Sequence, residues 1–287
     1  MSKLPYLWML LGSFFFAVMS SLVHAAGAHC DWQVVAIART LLALIFAALL
    51  VAGSRRGFVF LKPAMLWIRS IAGSISLVCG FYALARMPVA DVLTLTNMFP
   101  LWVAVLSWPL LGAAPPRDVW LAVICGIGGV ALIQQPHFGS GDYAWMVALA
   151  ASFTSGVAMI GLHRLHHIDA RAIVVHFSAV SLAFCIGALF LFPRAAPVVS
   201  SLTPITLLLL LGVGASATVG QLLLTVAFAH GDPARVSVVG LCQVGFAMVF
   251  DHLFWGRSFS AATLSGMALI LFPTAWMMLR RGVRLAD

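Results

Sequence analysis

Ten apolar runs, each near 20 residues long, follow one another along the chain and leave room for little else. A run of about 18 or more apolar residues matches the roughly 30 Å hydrocarbon core of a bilayer at 1.5 Å of rise per helical residue. No water-soluble domain hides that much apolar helix, so the solvent in which this chain works is lipid. The runs predict spans near 5–24, 32–52, 64–85, 92–111, 119–135, 143–163, 172–192, 205–229, 235–254 and 262–279. The connections between them are too short for an extramembrane domain. The expected fold class is an all-α integral membrane protein of ten transmembrane helices.

With hydrophobic residues at 63% and charged ones at 8%, the placement of the few charges is informative. With both termini on one side, that side carries Lys3, Arg55, Arg56, Lys62, Arg117, Arg164, Arg171, Arg235, Arg280, Arg281 and Arg284. The opposite loops carry only Arg86, Arg194 and Arg257. The positive-inside rule makes the richer side cytoplasmic. In bacterial terms this is a multi-pass inner-membrane protein with both ends inside. The net charge of +8 is therefore a topology signal and implies no nucleic acid. The expected partners are a small-molecule substrate and the bilayer, with a homodimer compatible.

The first run follows Lys3 like a signal peptide, and Ala25-Ala26-Gly27-Ala28 resembles a cleavage site. The run exceeds the usual apolar stretch of about 7–15 residues, so a retained span is expected. Cys30, Cys79, Cys125, Cys185 and Cys242 are scattered one per segment, without the spacing of a disulfide framework or a metal site.

Sliding the chain along itself by 144 positions lays Ala83, Ala85, Ala90, Val92 and Gly112 on Ala227, Ala229, Ala234, Val236 and Gly256. The break Met87-Pro88-Val89-Ala90-Asp91 then overlies Gly231-Asp232-Pro233-Ala234-Arg235. Earlier in each half, a shift of 138 lays Asp31 on Asp169 and the first span on the sixth. Two halves follow, 1–136 and 137–287, each with five spans. An odd number of spans inserts the halves in opposite senses, the recurring plan of secondary transporters.

At this point the chain resembles the two-EamA-repeat, ten-helix branch of the drug/metabolite transporter superfamily. The resemblance is carried by Arg39 and Arg69, by Phe81-Tyr82-Ala83-Leu84 before Met87-Pro88-Val89-Ala90-Asp91, and by Phe99-Pro100-Leu101-Trp102-Val103-Ala104-Val105. Ala227-Phe228-Ala229 and Pro233-Ala234 repeat part of it. The family's usual Leu-Gly-Glu turn reads Leu111-Gly112-Ala113 and Trp255-Gly256-Arg257 here, and Val244 stands opposite Pro100. The resemblance implies a secondary transporter of a small metabolite, amino acid-like, nucleoside or related, exporting by alternating access through a cavity lined by spans one to four and six to nine.

Ser76 and Gly80 on the third span, and Ser216 and Gly220 on the eighth, have the spacing of small residues that let helices pack closely. Polar groups deep in a membrane are costly and so are functional candidates. The expected cavity set is Arg39, Tyr82, Thr94, Asn97, Trp102, Met159, His176, Gln221 and Gln243. Arg39 has the geometry to hold a carboxylate through two parallel hydrogen bonds. Arg69, nearer the cytoplasmic surface, reads as an anchor. All eight acids are Asp and none is expected at mid-membrane, so His176 is the nearest titratable group for proton coupling. His163, His166, His167 and Asp169 crowd one loop, but a hydrated loop seldom closes a metal site, and no metal or cofactor is expected. No HExxH or buried aspartate pair points to an intramembrane enzyme. A scaffold or lipid-handling protein without transport is the alternative reading.

Overall fold

The computed structural model describes residues 3–54, 57–84, 86–87, 89–112, 114–135, 143–191, 203–256 and 258–279. Arg55, Arg56, Arg194, Arg257, Arg280, Arg281 and Arg284 of the charge pattern lie outside the described residues, as do Ala85, Pro88, Ala113 and the 136/137 boundary.

Twelve helices and no strand are found among the described residues. They are α1 (Leu4–Ala26), α2 (Trp32–Ala52), α3 (Ala64–Leu84), α4 (Val89–Thr96), α5 (Phe99–Leu111) and α6 (Arg117–Gln134), then α7 (Ala144–Arg164), α8 (Ala170–Leu191), α9 (Pro204–His230), α10 (Pro233–Gly240), α11 (Cys242–Trp255) and α12 (Ala261–Leu279). In lipid a helix pairs its own backbone groups, which makes it the natural spanning element. Eight segments are long and apolar enough to cross a membrane, counting α4 with α5 and α10 with α11 as one each. This is an integral membrane protein. The other two long helices, α6 and α12, pack against each other.

The expected fourth and ninth spans are thus broken helices. Pro100 removes the amide that would bond the Thr96 carbonyl, and its ring crowds that turn. The Asn97 amide, at the break, donates to the Leu93 carbonyl at 2.7 Å. The second break, at Leu241, has no proline; it follows Gly240, a poor helix former. Asn97 and Leu241 are 144 positions apart. So are Gly112 and Gly256, which end α5 and α11 at φ of 72° and 63°. Only glycine takes this left-handed turn without strain. Gly256→Ala is expected to cost about 1–2 kcal/mol, read as a lower thermal unfolding midpoint in detergent.

The most extensive pairings are α1 with α9, α3 with α7, α2 with α8 and α6 with α12. At the crossing of α6 and α12, backbone meets backbone. A Cβ on Gly129 would lie 2.6 Å from the Gly266 carbonyl oxygen, and a Cβ on Gly266 would lie 2.6 Å from that of Gly129. Ile270 and Leu269 flank the first contact as Ile133 and Leu132 flank the second.

The small residues expected to pack divide in use. Ser76 donates to the Ala151 carbonyl at 2.8 Å and meets the Ser155 hydroxyl at 2.6 Å, tying α3 to α7. Gly220 accepts the Phe16 ring, whose nearest atom would be 3.2 Å from its Cβ. Ser216 donates to Gly212 within its own helix. Gly80 is corrected: the space where its Cβ would stand is open, so it is not a packing point.

Buried apolar residues form separate clusters at both ends of the bundle. At the end bearing Lys3, one runs through Tyr6, Met9, Leu66, Leu162, Ile173, Phe228 and Val236, a second surrounds Val119, Val123 and Ile160, and a third joins Ala47 and Val51 of α2 to Val174 and Val175 of α8. At the other end one forms from α1, α2 and α9 around Val35 and Val213, and one from α3, α4 and α7 around Ala83 and Ala148. Polar ties also gather at the Lys3 end. Arg235 on α10 faces Asp118 on α6 at 3.8 Å, His163 meets the Phe228 carbonyl at 3.2 Å, and Arg164 donates to the Leu110 carbonyl.

Candidate functional site

Four helices meet around a cavity of about 10 Å³, room for roughly one water. Its walls are Arg39, Thr40 and Ala43 of α2, Leu77 of α3, Phe177 and Ser178 of α8, and Ala217 and Gln221 of α9. Each contributes from the interior of its helix, away from the ends. Thr40 and Ser178 are buried small polar residues, with the Thr40 hydroxyl donating to the Ala36 carbonyl at 2.9 Å.

Two groups in this cavity have no partner. The Arg39 Nε and the Gln221 Nε2 are buried donors without a hydrogen bond. An unpaired amide donor in an apolar setting costs about 1–3 kcal/mol and a lone charge more. Such atoms stay in a folded protein when something else pairs them. A carboxylate fits both, taking the guanidinium and the amide as donors.

The lining follows the repeat shifts. Arg39 and Phe177 are 138 positions apart, Thr40 and Ser178 likewise, and Leu77 and Gln221 are 144 apart. Phe177, Thr40, Ser178 and Leu77 were not among the expected site residues. For Phe177 and Leu77 the signal was their place opposite Arg39 and Gln221 in the repeat; for Thr40 and Ser178 it was a hydroxyl within an apolar span at equivalent positions of the two halves.

Of the nine expected cavity residues, Arg39 and Gln221 share this cavity; the others do not line it. Trp102 donates its indole N–H to Ser152 at 2.9 Å and packs α5 on α7, where a Cβ on Gly156 would come within 2.8 Å of its own. Met159 joins two apolar clusters. The Tyr82 ring lies under the Arg86 guanidinium, 3.9 Å from its centroid. Thr94 is buried in α4, and Gln243 is half-buried at the start of α11. His176 is buried nearer the Lys3 end, its Nδ1 2.8 Å from the Ser70 hydroxyl and its ring edge-on to Trp67 at 4.6 Å.

Arg69 differs most from expectation. It is 1% exposed, the largest fully buried side chain among the described residues, and so no surface anchor. Its guanidinium carbon lies 3.9 Å from the centroid of the Phe177 ring. Gly73 makes room there: a Cβ would stand 2.9 Å from Phe177 Cε2 and 3.5 Å from Arg69 Nη1. The ring face is worth roughly 2 kcal/mol to a desolvated cation, against a burial penalty of several kcal/mol. Arg69 Nε and Nη1 have no hydrogen-bond partner.

In the loop after α7, His166 Nδ1 lies 3.2 Å from the His163 carbonyl, and the described residues hold no cluster spaced for a metal. Between α1 and α2, burial and the neighbouring Asp31 push the Cys30 thiol above its ordinary value, which keeps it protonated.

Sequence and fold comparisons agree with this architecture. Residues 3–135 match the EamA-like transporter family. The chain is 32% identical over 273 residues to the pseudopaline exporter CntI of Pseudomonas aeruginosa, covering 91% of each chain. It is 24% identical over 207 residues to an uncharacterized transporter of Helicobacter pylori, covering 71% of this chain and 69% of that one. A solved crystal structure superposes with a TM-score of 0.81 at 17% identity, covering 96% of this chain and 98% of the other, a likeness of fold. With a transporter matched along nine-tenths of its length, the chain belongs to the EamA-like transporter family.

Proposed function

We propose that this protein exports a small, carboxylate-bearing metabolite across the bacterial inner membrane, by alternating access to the cavity between α2, α3, α8 and α9. The observation that carries the reading is the pair of unpartnered donors on Arg39 and Gln221, two residues that line one cavity. The export direction rests on the P. aeruginosa relative, whose name makes it a pseudopaline exporter. Both termini lie in the cytoplasm on this reading, in keeping with the basic side of the chain.

Alternating access follows from two inverted five-helix repeats, 1–136 and 137–287. Their support is the symmetry of contacts. Exchanging the halves turns the α1–α9 pairing into α3–α7, returns α2–α8 and α6–α12 to themselves, and turns α2–α9 into α3–α8. The mutual Gly129–Gly266 approach and the paired cavity walls obey the same exchange.

The test is uptake into inside-out vesicles or efflux from proteoliposomes, with pseudopaline as the first probe and acidic amino acids as the second. Saturable flux that wild type supports and empty vesicles lack supports the reading; no flux of any carboxylate overturns it. Gln221→Leu, which copies Leu77 from the other half, is expected to lower flux about tenfold, the worth of one hydrogen bond to a charged group. Asn97→Ala is expected to lower it less, since that amide already serves the Leu93 carbonyl.

A further inference from the structure

Two arginines, 30 positions apart on different helices, share Phe177 as a neighbour, one through its ring and one through a common cavity. Phe177 walls the Arg39 cavity and carries the Arg69 guanidinium at 3.9 Å. Neither arginine forms an ion pair among the described residues, and both keep unpartnered buried nitrogens. The described acids with placed side chains (Asp31, Asp118, Asp169, Asp232 and Asp251) sit at or beside helix ends, none in the interior of α3 or α8. Among the described residues the protein thus holds two interior cations and supplies a counter-charge to neither. Arg69, the sixth residue of α3, lies toward the Lys3 end relative to Leu77 of the same helix, which lines the cavity.

We propose that Arg69 is a second anion-binding station, in series with Arg39 and on the cytoplasmic side of it, and that the transported molecule carries two acidic groups. This rests on the carboxylate reading of Arg39. Phe177 belongs to both stations: its ring lies against the Arg69 guanidinium, and it walls the Arg39 cavity. When the Lys3 end opens, a two-headed acid arriving from the cytoplasm meets Arg69 first and displaces the ring face with a carboxylate, a stronger partner for a guanidinium fork. One head then passes to Arg39 while Arg69 retains the other.

The experiment uses the purified full chain and its thermal unfolding midpoint, titrated with straight-chain diacids from succinate to suberate and with their monomethyl esters. Wild type is expected to half-saturate at about tenfold lower concentration with the best-fitting diacid than with its monoester. Arg69→Gln is expected to erase that ratio and leave the monoester response unchanged. Without ligand, Arg69→Met is expected to raise the midpoint, because it replaces an unpaired buried cation by an apolar side chain. An unaltered ratio in Arg69→Gln, or a lowered midpoint in ligand-free Arg69→Met, assigns Arg69 to the scaffold and overturns the proposal. Where Arg69→Gln does not fold, Arg69→Lys decides: it keeps the charge without the fork, so a reduced ratio supports the station and an unchanged one overturns it. If the monoester fails to shift even wild type, the Arg39 reading has failed and this inference with it. A monoester response with an unaltered ratio sinks the second station alone.

Discussion

Arg39→Gln is expected to reduce saturable carboxylate flux by about 30-fold or more, since removing one partner of a buried charged hydrogen bond costs roughly 2 kcal/mol at the least. The loss should fall on transport and spare folding. In the ligand-free protein the Arg39 Nε has no partner, so the variant gives up no intramolecular bond there and relieves a buried charge. An unfolding midpoint equal to or above wild type, together with collapsed flux, is the expected pair of measurements. Arg39→Lys keeps the charge but not the planar fork and should recover only part of the flux. If Arg39→Gln transported normally, the cavity would not be the binding site. A lowered midpoint would make Arg39 a structural residue.

Gly129→Leu is expected to be the most damaging single substitution outside the cavity. Its Cβ would fall 2.6 Å from the Gly266 carbonyl oxygen and 2.9 Å from Ile270 Cγ1. The first of these is backbone and cannot swing aside, so α6 and α12 must separate. In lipid no hydrophobic drive pushes helices together; the crossing depends on close contact between small residues. Gly129→Ala is expected to cost about 1–3 kcal/mol, the usual toll of an overpacked methyl, and Gly129→Leu to leave little folded protein. Gly266→Leu should behave alike, because the two glycines make the same approach to each other. The measurement is the monodisperse yield in detergent followed by the unfolding midpoint. By contrast Gly80→Ala, in open space, should leave both unchanged.

The all-helical membrane character was readable because hydropathy over 20 residues is a strong, local signal, and the match to a transporter family followed from motifs spread along the chain. What local signals did not reveal was the use of individual residues. The fourth and ninth spans read as continuous because a break of one or two residues barely changes mean hydropathy, though Pro100 marked one of them. Arg39 and Gln221 were visible as isolated polar residues in apolar runs. Phe177 and Leu77 were not, since an apolar residue in a membrane helix looks the same whether it faces lipid or a cavity. Arg69 read as an anchor from its place near a helix start; only packing could place it under Phe177, out of reach of the interface. The small residues at 76, 80, 216 and 220 were visible as a pattern, but the mutual backbone approach used Gly129 and Gly266, on helices with no expected role.

The unequal filling of the matched cavity walls has one more effect. If Arg39 faced a second arginine at 177, and Gln221 a second glutamine at 77, cargo could bind either way round and the two access states would be close in energy. Arginine across from phenylalanine and glutamine across from leucine give the pocket a head and a tail. On the proposed cycle a bound molecule would keep one orientation throughout, and the empty carrier would have reason to rest more on one side of the membrane than on the other.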